Sequence, residues 1–159
     1  MENSVRALLD VQLSRLDLQD VAALCEAIRE SSDQYNKYFT PFALTAENFS
    51  MILNSSIMDR YYVIHVGNEI AGFYMLRGLD KGFQVPSYGV WIRPRFASLG
   101  IGTLTIYHAL AICRASGIRR LMLKVHPENI IALRIYEKCG FRRDGKDDKN
   151  GNLIFLKDL

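Results

Sequence analysis

A chain of 159 residues, 49 % apolar and 23 % charged, has the size and balance to bury one proper core, so a single domain over 1–159 is expected. A net charge of +3 is too weak to argue for nucleic acid, and no apolar run approaches the roughly 20 residues of a membrane span. The N-terminus lacks the basic and apolar regions of a signal peptide, and Cys25, Cys113 and Cys139 have no ligand spacing; reduced thiols, a cytoplasmic location and no metal are expected.

Val11 to Leu16 reads as a first strand, preceded by an arm without a clear element. Asp17 caps a helix with apolar positions Leu18, Val21, Leu24, Cys25 and Ile28. A polar run, Glu30 to Asp33, leads to an aromatic cluster of Tyr35, Tyr38, Phe39 and Phe42, with Pro41 breaking the chain. Thr45 starts a second helix carrying Phe49, Ile52 and Leu53. Arg60 to Val66 and Glu69 to Arg77 are strands joined by the tight turn Gly67-Asn68. After the turn Gly78 to Gly82, a strand is predicted from Phe83 to Arg93, with a bulge or broken pairing at Pro86, which has no N–H to give.

That strand runs into Pro94 and a loop, Arg95-Phe96-Ala97-Ser98-Leu99-Gly100-Ile101-Gly102-Thr103, that opens a helix. Backbone N–H groups at a helix start have no intrahelical partner, and the helix dipole adds positive charge. Gly100 and Gly102 let a ligand approach closely, which suits a phosphate or pyrophosphate. A dinucleotide fingerprint would need glycine at Thr105, and a Walker loop would need Gly-Lys-Ser/Thr; neither is present. The helix shows Leu104, His108, Ala111, Ile112 and Ala115 on one face and ends at Gly117. Ile118 to Val125 is the next strand. A helix then runs from Asn129, a good N-cap, to Gly140, with Ala132 and Tyr136 on the face of Asn129. Phe141 onward gives two last strands about Asn150-Gly151.

Two stretches, Ile92/Pro94/Gly100/Ile101/Gly102 and Asn129/Ala132/Tyr136/Gly140/Phe141, resemble the GNAT superfamily of acyl-CoA-dependent N-acetyltransferases. The chain departs from the family pattern at Ala97, where arginine or glutamine is usual, and at Ser98. The resemblance implies an α+β fold with a mostly antiparallel central sheet of about six to seven strands flanked by about four helices. It implies acetyl-CoA as co-substrate and acetyl transfer to a primary amine of a small molecule. The strand through Val90, Trp91 and Ile92 would splay from its neighbour and pair with the pantetheine arm. Backbone amides of Ala97, Ser98, Leu99, Gly100, Ile101, Gly102 and Thr103 would hold the pyrophosphate, with Arg95 compensating for Ala97. Asn129, with Ala132 leaving room beside it, would bind pantetheine. Tyr136, a phenol with a reference pKa near 10, would protonate the leaving thiolate.

The base is open. No acid lies between Phe83 and Arg93, which leaves Tyr88, His126, Glu128 or a water relay. Exposed rings among Tyr35, Tyr38, Phe39 and Phe42 would suit a flat or sugar-like acceptor, an amino sugar among them. Acetylation of a protein amine, an acyl-CoA-binding module without catalysis, and a non-enzymatic interaction domain are the rival readings. A homodimer through the last strands is compatible with the family.

Overall fold

A computed structural model describes residues 7–159; residues 1–6, part of the expected arm, lie outside the described residues. Strand β1 (Val11–Arg15) runs antiparallel to β2 (Arg60–Val66), and β2 to β3 (Glu69–Arg77) around the turn at Gly67-Asn68. Every residue of β4 (Ser87–Ile92) pairs antiparallel with β3. β5 (Arg120–Val125) lies parallel to β4. The last two strands, β6 (Arg142–Lys146) and β7 (Leu153–Asp158), form a hairpin. It is β7 that pairs with β5, so the sheet order is β1-β2-β3-β4-β5-β7-β6. This is the mostly antiparallel α+β sheet expected.

Strand residues alternate between the two faces of the sheet, and each face carries helices. On one side α1 (Val21–Arg29) and α3 (Ala46–Ser55) bury Leu24, Ile28 and Phe49 against Val63, Phe73 and Trp91. Phe39 and Phe42 extend this core through edge-to-face contacts with Phe73 and Phe49, at 5.3 and 5.4 Å. On the other side α4 (Ile101–Ala115) and α5 (Ile130–Lys138) cover Tyr62, Tyr74, Tyr88 and Leu123 with Ile106, Leu110 and Tyr136. No described helix is long and apolar enough to cross a membrane.

Several boundaries differ from expectation for physical reasons. The strand predicted from Phe83 begins only at Ser87: Phe83 stands in an exposed loop, and Pro86 sits just ahead of the strand, its carbonyl accepting the Met122 N–H at 3.0 Å. The helix predicted from Asp17 opens with a 3-10 turn, Leu18–Asp20, in which Asp17 and Asp20 cap each other's backbone, and Leu18 is left exposed. On α4 the buried stripe is Ile101, Thr105, Ile106, Ala109, Leu110 and Cys113 rather than the face through Leu104, Ala111 and Ala115, which is exposed. That helix is apolar nearly all round, so its period alone does not choose a face. A short extra helix, α2 (Asp33–Asn36), capped by Ser32, forms inside the stretch read as a polar run and aromatic cluster.

Candidate functional site

β4 and β5 pair only at Ser87 with Met122 and at Tyr88 with Leu123; beyond these residues the two parallel strands part. Hydrogen-bond parity shows what is left in the gap. Arg93 donates its N–H to the Ala71 carbonyl, and Met122 donates to the Pro86 carbonyl. Odd residues of β4 therefore bond to β3, while the backbone groups of Tyr88, Val90 and Ile92 face β5. Tyr88 finds β5 there; Val90 and Ile92 face the gap. The Ile92 carbonyl is already taken, accepting the Tyr35 hydroxyl at 2.6 Å. Val90 N–H and C=O and Ile92 N–H have no partner in the sheet, which makes them a place for an extended ligand to add as a pseudo-strand.

The chain leaves β4 through a 3-10 turn, Pro94–Phe96, in which Ala97 donates its N–H to the Pro94 carbonyl. Ala97 thus spends the amide that was expected to face a ligand. The next N–H groups, from Ser98 to Thr103, have no hydrogen-bond acceptor among the described residues; the first intrahelical bond is Leu104 to Gly100, at 2.9 Å. Ser98 at φ 65° and Gly100 at φ 81° turn the backbone sharply just before α4, and these six donors form a run at its start that is exposed at Ser98, Leu99 and Gly100. Such a run of donors fits a pyrophosphate. Thr105 ties it to the sheet: its hydroxyl donates to the Gly102 carbonyl at 2.7 Å and meets the buried Tyr88 hydroxyl at 2.7 Å. Arg95 is held by Glu69 and lies over the Phe96 ring, 4.9 Å from its centroid.

Across the gap, β5 leads into Asn129, whose side chain accepts the Ala132 N–H at 3.3 Å and caps α5 as expected. Ala132 is half-buried against the core. Tyr136 is 9 % exposed and packs edge-on against Tyr88, ring centroids 6.3 Å apart, beside the point where β4 and β5 separate. Its hydroxyl has no protein partner among the described residues, yet no sealed side-chain polar atom there lacks one, so this hydroxyl opens onto free space. Burial, reinforced by the neighbouring Cys139, pushes its pKa well above the ordinary phenol value. Tyr136 therefore keeps its hydroxyl proton at neutral pH. Burial likewise pushes the Cys113 thiol up to about 11 and raises those of Cys25 and Cys139. All three are buried and protonated, which suits none of them to nucleophilic work.

The candidate bases fare unequally. Tyr88 is fully enclosed and its pKa raised far by burial. His126 accepts the Glu128 N–H through Nδ1 at 3.2 Å, so the neutral ring carries its proton on Nε2 and has no lone pair to offer there. Of the four clustered rings, Phe39 and Phe42 pack half-buried against the core, and Tyr38 contacts the Lys37 ammonium and the His126 ring. Only Tyr35 is exposed. Sequence reasoning named Tyr35 among the acceptor-side rings but not its bond to Ile92, and it missed Asn36; the one local signal was Ser32, a ready N-cap three residues ahead of Tyr35. A basic hollow of about 410 Å³, lined by Arg120, Arg142, Arg143 and Lys157, lies at the opposite end of β5, away from this arrangement.

Residues 24–141 match the family model described as the acetyltransferase (GNAT) family. The chain is 31 % identical over 98 residues to a 5-NmdU N-acetyltransferase of Pseudomonas phage PaMx11, covering 60 % of this chain and 68 % of the phage protein. Among solved structures it resembles PaiA N-acetyltransferase from Thermoplasma acidophilum in complex with coenzyme A. There the TM-score is 0.78 at 18 % identity, over 94 % of this chain and 99 % of the other. It also resembles RimL, a ribosomal L7/L12 alpha-N-protein acetyltransferase in complex with coenzyme A, with TM-score 0.80 at 16 % identity over 94 % of each chain.

Proposed function

This chain belongs to the GNAT acetyltransferase family, and from that premise we propose that it moves an acetyl group from acetyl-CoA to a primary amine of a small molecule. The observation that carries the proposal is the open half of β4 leading directly into six unpaired N–H donors. The pantetheine arm pairs with Val90 and Ile92 in the gap, along the strand that carries Trp91. The pyrophosphate rests on the amides of Ser98, Leu99, Gly100, Ile101, Gly102 and Thr103. These are backbone donors, so Ala97 in place of arginine or glutamine weakens the cradle without removing it. Arg95 contributes positive field rather than a direct bond. Asn129 and Ala132 border the arm from the far side of the gap.

The amine attacks the thioester carbonyl directly in a ternary complex. A carbon–nitrogen bond forms, the carbon–sulfur bond breaks, and a gap-facing amide of β4 stabilises the oxyanion. Tyr136 gives its proton to the leaving thiolate, and the amine's proton departs to solvent through water. We place this activity in one domain of residues 1–159, in the cytoplasm, alone or as a homodimer. The phage relative makes 5-NmdU the first acceptor to try, followed by amino sugars and then peptide N-termini. Ala97 and the lack of an acid on β4 favour the second reading, a coenzyme-binding module without turnover.

The test is a titration with acetyl-CoA, read by the fluorescence of Trp91, the sole tryptophan, and by melting temperature. At about 100 times its dissociation constant the ligand stabilises the fold by roughly 2.7 kcal/mol, a rise of about 5 to 10 °C. Thiol release with the acceptors named then separates the enzyme from the binding module. No response at millimolar acetyl-CoA sinks both.

A further inference from the structure

Beyond Tyr88, β4 has a sheet neighbour on one side only, yet this is the half of the strand that faces the gap. Three consecutive residues there are tied to one distant corner of the fold, the turn from α1 into α2. Trp91 donates its indole N–H to the Asn36 side chain at 2.9 Å, the Ile92 carbonyl accepts the Tyr35 hydroxyl at 2.6 Å, and Arg93 pairs with Glu30. The corner is itself anchored, since Asn36 donates to the Ile28 carbonyl at 3.3 Å and Ser32 caps α2. Its other end reaches the opposite bank: the Tyr38 ring lies 5.1 Å from that of His126, the residue directly after β5.

We propose that Tyr35 and Asn36 are positioning residues of a brace that spans the gap between β4 and β5 and holds it at the width of the pantetheine arm. The proposal rests on the acetyl-CoA reading above. An unpaired strand edge flexes, and a ligand that must order it loses affinity; an edge held in place beforehand avoids that cost. Taking up the Ile92 carbonyl also leaves Val90 N–H, Val90 C=O and Ile92 N–H as the pattern the arm's amides must match. The brace therefore acts on the arm and not on the nucleotide, whose cradle at Ser98–Thr103 shares no hydrogen bond with Tyr35 or Asn36 among the described residues.

Calorimetry with two ligands tests this: acetyl-CoA, and adenosine 3′-phosphate 5′-diphosphate, which keeps the nucleotide and lacks the arm. Tyr35→Phe retains the ring and loses only the hydroxyl; Asn36→Ala loses the tie to Trp91. Each is expected to raise the acetyl-CoA dissociation constant about three- to tenfold, the range of one net hydrogen bond, while the arm-less nucleotide binds as to the unmodified chain. Should Asn36→Ala unfold, Tyr35→Phe carries the comparison alone. Equal weakening of both ligands, or of neither, overturns the brace and leaves the coenzyme assignment standing. An unmodified chain that binds neither ligand overturns the coenzyme assignment and the brace with it.

Discussion

The inner half of β4, Ser87 and Tyr88, and its outer half, Val90 to Ile92, share one antiparallel neighbour and differ on the other side. The inner half is closed by the ladder to β5 and by the Tyr88 hydroxyl on Thr105. The outer half leaves backbone groups unmade and is held instead by the side chains of Tyr35 and Asn36. A strand can thus be scaffold at one end and binding surface at the other. The switch needs no change of conformation, only the departure of a neighbour.

The contrast predicts that changes at the open end cost chemistry or ligand, and changes at the closed end cost stability. The largest effect is expected where the gap closes. Tyr136→Phe should lower the rate of thiol release roughly 10²-fold while acetyl-CoA binds within about twofold of normal. An unchanged rate would remove Tyr136 from the chemistry. At the cradle, Gly100 sits at φ 81°, which costs a residue with a side chain about 1–2 kcal/mol. Gly100→Val should raise the acetyl-CoA dissociation constant about tenfold by turning the Ser98–Ile101 amides out of line; equal affinity would mean that those amides do not hold the ligand.

At the closed end, Tyr88→Phe deletes one buried hydrogen bond and leaves Thr105 on the Gly102 carbonyl. It should lower the melting temperature by about 2–4 °C, for roughly 1 kcal/mol, with acetyl-CoA affinity intact. A large loss of affinity there would erase the distinction between the two halves. The smallest effect is expected at Asp80, in the loop that feeds β4. Its exposed carboxylate accepts the N–H groups of Ile57, Met58 and Asp59, and these hold its pKa below the ordinary carboxylate value. A lowered folded pKa adds stability that is present above about pH 4 and fades as pH falls through the folded value. Asp80→Asn should therefore melt below the unmodified chain at pH 7, and the difference should shrink on going to pH 3. A difference independent of pH would assign the effect to the lost geometry, not the charge.

The parts of this arrangement that the sequence made legible are those with local causes. Gly100 at the helix start is signalled by a left-handed backbone conformation that few residues adopt, and Asn129 by the side-chain cap it gives α5. The seven-residue spacing put Tyr136 on the helical face of Asn129, and only the family resemblance singled it out. The destination of Arg95 was illegible because its partner, Glu69, lies 26 residues earlier, at the start of β3. The brace was illegible for the same reason, since 57 residues separate Tyr35 from Ile92. The buried face of α4 was misread because its apolar residues surround the helix; the tyrosines beneath it, and Thr105 reaching Tyr88, decide which side turns inward.

The position of β7 between β5 and β6 has a consequence for the order of synthesis. The ribosome finishes β5 and β6 before the strand that joins them exists. Until residues 153–158 emerge, the β5 edge from Arg120 to Val125 waits unpaired and β6 has no sheet to join. A nascent chain halted in that interval presents an open edge to its neighbours, the setting in which strands pair between molecules. β6 thus joins the sheet only through a strand made after it, so a chaperone that shields β5 is most useful while residues 126–158 are being made.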